Sequence, residues 1–202
     1  MDVGCGDGML ARAIRAGSRP VLTGITYSEA ESELARSVFD EVLVADLDRF
    51  GGEGLGMFDC IVCCHVLEHL IDPWKLLRTL RSHLDPGGTL VVAVPNLLFW
   101  RSRLGVLRGN FRYTDGGLMD RTHCKFFDWR TAGELVRQAG LELTGQIGDG
   151  SWPGSRWLGP LQGPMDRAAL AVAPGLFAWQ FVMTARVGGG LSHGPGPGAG
   201  GK

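Results

Sequence analysis

Asp2-Val3-Gly4-Cys5-Gly6-Asp7-Gly8, running at once into Met9-Leu10-Ala11-Arg12-Ala13-Ile14, is the stretch on which the reading of this chain turns. Glycines at alternate positions between an apolar strand end and a helical start make a backbone that a nucleotide-sized ligand can approach closely. The spacing is G-x-G-x-G with an acid two residues before the first glycine, whereas the dinucleotide fingerprint is G-x-G-x-x-G. Alone, the stretch also suits an ordinary tight strand-to-helix turn, so its meaning depends on the rest of the chain.

The composition bounds that meaning. The 202 residues fit one domain of ordinary size, large enough to bury a substantial core. Lys and Arg number 20 against 21 Asp and Glu, and the net charge of -1 gives no electrostatic reason to expect nucleic acid or an anionic membrane as partner. The longest apolar run, Leu90 to Pro95, is strand-sized rather than membrane-spanning, and no basic-then-apolar leader opens the chain, which points to a cytoplasmic protein. Cys60-x-x-Cys63-Cys64 lies in an apolar run without a second cysteine pair, so these cysteines read as small buried strand residues and not as zinc ligands. With Cys5 and Cys124 the count is odd, against a disulfide framework.

Met1 to Val3 is too short for a whole central strand, so the first strand reads as starting midway. Leu10, Ala13 and Ile14 share a helical face, and Gly17 ends that helix. Val21 to Ile25 reads as a strand, Ser28 caps an acidic helix to about Val38, and Glu41 to Val44 is a third strand, giving a βαβ alternation. Phe58 to Cys64 is a strand expected to be buried on both faces. Asp72-Pro73 opens a helix from Trp74 to Leu84 that Asp85-Pro86-Gly87-Gly88 terminates, and Thr89 to Val94 is again a strand. Residues 97–125 read as an irregular insertion. Asp128 then caps a helix with Trp129, Ala132, Leu135, Val136 and Ala139 on one face, stopped by Gly140, and Leu141 to Ile147 is a strand. Residues 148–174 form a second irregular insertion with a helical turn or two near Met165 to Ala171, Phe177 to Val187 is the last strand, and residues 188–202 are a Gly/Pro tail expected to be disordered.

Taken in order, Asp2 to Gly8, Gly24 to Ser28, Ala45-Asp46-Leu47, Phe58-Asp59 through His65-Val66-Leu67-Glu68-His69-Leu70, Leu84 to Leu90 and Pro95-Asn96 resemble the class I S-adenosylmethionine-dependent methyltransferases. The tract Asp120-Arg121-Thr122-His123 with Phe126-Phe127 resembles a branch acting on small metabolites, glycans or natural products. The resemblance implies a Rossmann-like doubly wound α/β fold: a seven-stranded, mostly parallel sheet with an antiparallel last strand, in three αβα layers. It implies one methyltransferase domain over residues 1–187, with both insertions lying over the acceptor pocket. It also implies S-adenosyl-L-methionine as cofactor and a small-molecule acceptor.

The residues assigned to the cofactor by that resemblance are Asp2, Gly4, Cys5, Gly6, Thr26, Tyr27, Asp46, Leu47, Cys64 and His65. Asp46 would accept from the adenine amino group, Asp2 would orient the loop or the cofactor amine, and Tyr27 would stack on adenine. The chain departs from the pattern at Thr26, where the family carries an acid for the ribose hydroxyls. A hydroxyl does not replace a bidentate carboxylate, so Glu29 or Glu31 must reach back, or cofactor binding is weaker.

Methyl transfer needs chiefly the alignment of two reactants, with a base only when the acceptor loses a proton. His123 is the first candidate base and His65 the second. His65-Val66-Leu67-Glu68-His69 also spells the inverted zinc-protease signature H-x-x-E-H, which requires a sustained helix where only about one turn fits before Asp72-Pro73. It resembles as well the Glu-x-x-Glu-His of metal-using methyltransferase branches, with His65 in place of the first Glu; Glu68 and His69 read here as a packing pair at a helix start, with no metal. The same fold could also carry a non-catalytic protein. A nicotinamide oxidoreductase is disfavoured by the glycine spacing and by the lack of an acid at position 26. Arg101, Arg103, Arg108 and Arg112 suggest an anion site or a solvated loop, and Trp100, Trp152 and Trp157 an apolar or sugar-like pocket or simple packing.

Overall fold

The computed structural model describes residues 1–17 and 20–188. The Gly/Pro tail expected to be disordered lies, past Gly188, outside those described residues. Strands β1 (Asp2–Val3), β2 (Thr23–Thr26), β3 (Glu41–Val44), β4 (Phe58–Cys64), β5 (Leu84–Pro95), β6 (Leu141–Gly150) and β7 (Ala178–Val187) form one sheet in the order β3-β2-β1-β4-β5-β7-β6. The first five pair in parallel, and β7 runs antiparallel to both β5 and β6. The expected doubly wound sheet with a reversed last strand is what the chain builds.

Helices α1 (Met9–Gly17), α2 (Glu29–Ala35), α3 (Pro73–Ser82), α4 (Trp100–Leu107), α5 (Trp129–Gln138), α6 (Gln162–Val172) and α7 (Pro174–Phe177) connect them. Their starts follow from side chains that satisfy the orphan amides of a first turn. Ser28 accepts from Glu31 N at 3.4 Å, Asp72 from Lys75 N at 3.0 Å, and Asp128 from both Arg130 N and Thr131 N in a capping box. The main core gathers Leu76, Leu77 and Leu80 of α3, Leu135 and Val136 of α5, and the inward faces of β4, β5 and β7. A smaller core of Cys5, Ala11, Leu22, Ala35 and Phe39 sits under α1 and α2.

Several boundaries differ from those read in the sequence. Strand β2 begins only at Thr23, leaving Val21 84% exposed, and α2 stops at Ala35. Helix α1 turns Ala11 and Ile14 inward, not Leu10 and Ala13, because Cys5 and Phe39 lie on that side. β4 is buried only in its second half: Asp59 and Cys60 are exposed, so Cys63 is the strand cysteine that is a core residue, while Cys60 and Cys124 are not. β5 reaches back through Asp85-Pro86-Gly87-Gly88 to Leu84, which pairs with Phe58 across a bulge. The segment read as irregular from 97 to 125 contains α4, whose low amphipathicity hides it. The second insertion folds into α6 and α7.

Asn96, fully buried after β5, holds this region together. Its amide nitrogen donates to the carbonyls of Gly175 and Ala178, and its oxygen accepts from Leu98 N. Among the described residues no helix is long and apolar enough to cross a membrane.

Candidate functional site

Strand order reverses between β1 and β4, and in such sheets the crevice at the carboxyl ends of the strands is where ligands sit. A cleft of about 360 Å³ opens there, lined by Gly4, Gly6, Thr26, Tyr27, Glu31, Asp46 and Leu47 with His65, Val66 and His69 on the facing side. The loop that floors it is left-handed at Gly4, Gly6 and Gly8, with φ of 75°, 51° and 89°, a conformation that glycine enters without cost. It is pinned from behind, because Gly4 N and Cys5 N both donate to Ile25 O, at 2.8 and 2.9 Å. A Cβ on Gly4 would overlap the Val66 side chain, whereas one on Gly6 would meet nothing within 4 Å, so Gly6 faces open space.

Seven of the residues assigned to the cofactor line the cleft: Gly4, Gly6, Thr26, Tyr27, Asp46, Leu47 and His65. Asp2, Cys5 and Cys64 do not. Asp2 is 7% exposed beneath the loop, where burial pushes its carboxyl up to about 6. The Cys5 side chain packs in the smaller core, and burial pushes the thiols of Cys5 and Cys64 up to about 11.

Where β2 ends without an acid, a carboxylate of α2 reaches back to the same wall. Thr26 Oγ1, almost fully buried, donates to Glu31 Oε2 at 2.6 Å and so holds the Glu31 carboxylate at the cleft wall. Glu29, the other candidate, is not among the lining residues. At the far end Asp46 folds an Asx turn, accepting from Asp48 N at 3.1 Å, while Asp48 accepts from Ile71 N at 2.9 Å.

A second cavity of about 340 Å³ shares His65 and His69 with the cleft and adds Glu68, Asp120, His123 and Trp179. His65 is the one non-glycine residue with positive φ, 55°, among those described, and nothing in the sequence signals it. Both its ring nitrogens face acceptors: Nδ1 lies 3.2 Å from Glu68 Oε1 and Nε2 lies 2.7 Å from Gln180 Oε1. The Gln180 amide is oriented by its own donation to Asp149 Oδ2 at 2.8 Å, so its oxygen must face the histidine. The Glu68 hydrogen bond raises the His65 pKa. His65, the second candidate base, thus has both ring nitrogens within hydrogen-bond reach of a neighbouring oxygen.

His123 differs. Its Nδ1 is buried without a hydrogen-bond partner, and its ring meets His69 edge-on at 4.8 Å. The tract that carries it is clipped to the Leu67–His69 turn by Cys124 N and Lys125 N, which donate to Glu68 O at 2.7 and 2.9 Å. Glu68, fully buried, keeps Oε2 without a partner, so Glu68, His69 and His123 bring ligand atoms within 4.8 Å of one another. Two imidazoles and a carboxylate are a donor set that suits a divalent ion. Glu68 and His69, expected as a packing pair, are joined by His123, distant in sequence, while His69 Nδ1 also lies 2.9 Å from Thr122 Oγ1. The protease reading fails on geometry: Leu67–His69 is one turn of 3-10 helix, and the His65 ring is committed to Glu68 and Gln180.

Comparison with known proteins bears on the family and the fold. The family described as "Methyltransferase domain" matches residues 1–146. Ubiquinone biosynthesis O-methyltransferase of Xanthomonas campestris pv. campestris is 35% identical over 103 residues, 48% of this chain and 42% of that protein. The protein of the same name from Aromatoleum aromaticum is 29% identical over 156 residues, 73% of this chain and 65% of its own length. The chain thus spans between two fifths and two thirds of these relatives. Among solved structures, an S-adenosylmethionine-dependent methyltransferase from Archaeoglobus fulgidus superposes with a TM-score of 0.58 at 18% identity, covering 91% of this chain and 83% of that one. The cyclase SpnF superposes at 0.57 and 20% identity, covering 92% and 73%, so the fold also hosts other chemistry. With a family match over residues 1–146 and a glycine-floored cleft at the switch point of its sheet, the chain belongs to the methyltransferase domain family.

Proposed function

We propose that this chain transfers a methyl group from S-adenosylmethionine to a hydroxyl of a small-molecule acceptor. The observation that carries the reading is the cleft with its two acidic ends, Glu31 held by Thr26 on one side and Asp46 on the other, above a left-handed glycine floor. In this reading Glu31 takes the ribose hydroxyls, Asp46 the adenine amino group, and Gly4 to Gly8 the methionine part. The cofactor supplies the electrophilic methyl when bound. The protein's share is to seat the acceptor in the adjoining cavity, with its oxygen toward the cleft across His65. His123 Nδ1 takes the proton as the acceptor oxygen bonds the methyl carbon and the carbon–sulfur bond of the sulfonium breaks, its electron pair staying on sulfur; segment 97–125 lines this cavity and segment 148–174 the one beside it.

One observation favours a second reading of the deprotonation step. If Glu68, His69 and His123 hold a divalent ion, the ion lowers the acceptor hydroxyl's pKa and His123 serves as a ligand instead of a base. The names of the ubiquinone relatives support a phenolic hydroxyl as acceptor. Calorimetry with S-adenosylmethionine and its demethylated product, followed by transfer of a labelled methyl to catechol, tests the proposal. Binding of neither ligand overturns it, and binding without transfer to any phenol in a metabolite extract supports a non-catalytic protein on this fold.

A further inference from the structure

Four of the chain's six tryptophans and Phe99 surround a third cavity, of about 530 Å³, that neither the cleft nor the histidine cavity uses. Trp100 comes from α4, Trp152 and Trp157 from the loop between β6 and α6, and Trp179 from β7. These rings are not spent on the core: Trp157 is 88% exposed, Trp152 37% and Trp179 39%. Large apolar rings left open around one concavity mark a binding surface more than a packing solution. The loop that carries two of them is a built feature. Gly154 turns it at φ 83°, and Trp152 N donates to Asp166 Oδ1 of α6 at 2.8 Å.

The walls are not purely apolar. Ser151, Ser155 and Arg101 line the same cavity, Arg101 lies 5.3 Å above the Trp100 ring, and both Trp100 Nε1 and Ser155 Oγ are buried without a hydrogen-bond partner. Flat aromatic faces with polar groups between them suit a ring whose faces are apolar and whose rim carries hydroxyls. Trp179 fixes the cavity's relation to the reaction. It lines this cavity and the histidine cavity alike, and its ring lies parallel to His65 at 6.0 Å.

We propose that the Trp100, Trp152, Trp157 and Trp179 cavity is a second acceptor subsite, which takes a second ring, aryl or pyranose, of an acceptor whose methylated ring stands at His65. The assignment rests on the methyl-transfer reading only for what occupies the histidine cavity; the ring-binding surface itself stands on the tryptophans. The acceptor class is then a two-ring phenol or an aryl glycoside, not a single small ring.

The test is a tryptophan-fluorescence titration of the whole chain with catechol, 3,4-dihydroxybiphenyl and 3,4-dihydroxyphenyl β-glucoside. One or both two-ring ligands are expected to bind about tenfold more tightly than catechol, and which of them gains tells an aryl from a pyranose subsite. Trp157→Ala, at an exposed position, should remove that gain, while Trp157→Phe should restore most of it. Equal affinity for all three ligands, or a gain that survives both Trp157→Ala and Trp152→Ala, overturns the subsite. Methylation of catechol without the gain leaves the methyl-transfer reading standing alone, and the gain without methylation leaves the subsite standing alone.

Discussion

Glu31→Gln is the substitution that reaches furthest into the cofactor reading. Glu31 sits at the third residue of α2, exposed to the cleft, with Oε2 taken by Thr26 Oγ1 at 2.6 Å. Its other oxygen and the second lone pair of Oε2 remain to receive the two ribose hydroxyls. Hydrogen bonds to a charged group contribute about 1.5–3 kcal/mol each, and solvent exposure argues for the lower end, so the pair contributes about 3 kcal/mol. A glutamine keeps one neutral bond of about 1 kcal/mol, leaving a loss of about 2 kcal/mol, or roughly a 30-fold rise in Kd. The assay is isothermal titration with S-adenosylmethionine and its demethylated product. Both share the ribose, so both should weaken by the same factor. Gln is as good as Glu at this helical position, so the melting temperature should not move. Glu29→Gln, outside the cleft, should change neither affinity. Thr26→Val should cost about 1 kcal/mol through the freed carboxylate, and the Thr26→Val, Glu31→Gln double variant should fall short of the sum because the two act as one unit. A Glu31→Gln protein that binds within threefold of the parent, or that loses one ligand selectively, refutes the assignment.

Gly4→Ala should abolish cofactor binding and lower stability by about 2–4 kcal/mol, since it combines a left-handed backbone with overlap on the stiff, buried Val66 side chain; urea denaturation reads the loss. For Asp2 the folded carboxyl titrates near 6 against an ordinary 3.8, so the folded state binds the proton more tightly and stability falls as pH rises from about 4 to 6. Asp2→Asn should flatten that dependence and stabilise the chain by up to about 3 kcal/mol at pH 7.5 while leaving it unchanged below pH 4, as denaturation at a series of pH values would show. Dialysis against a chelator should reduce turnover, and zinc or magnesium should restore it, if Glu68, His69 and His123 hold an ion. Turnover unaffected by the chelator but lost in His123→Ala would return His123 to the role of base.

How far the sequence could be read depended on whether a feature is set by neighbours in the chain or by contacts across it. Asp72-Pro73, Asp128 with Thr131, and Gly140 mark their helix ends because capping is a matter of three or four residues. The glycine floor was legible for the same reason. Cys60 was misread because an apolar run says nothing of which neighbour covers each residue; there β1 pairs with β4 only at Val62 and Cys63. His65, with both nitrogens committed, and His123, with one nitrogen free, look alike in the sequence, and only Gln180, Asp149 and Glu68 distinguish them. The departure at Thr26 shows the two kinds of information meeting. The position that should carry an acid does not, yet one turn into α2, five residues on, Glu31 returns a carboxylate to the same wall, and the hydroxyl that replaced the acid is what holds it there. In the proposed reading the chemistry demanded of that corner falls to a pair rather than a residue, which is why substituting either partner should be felt through the other.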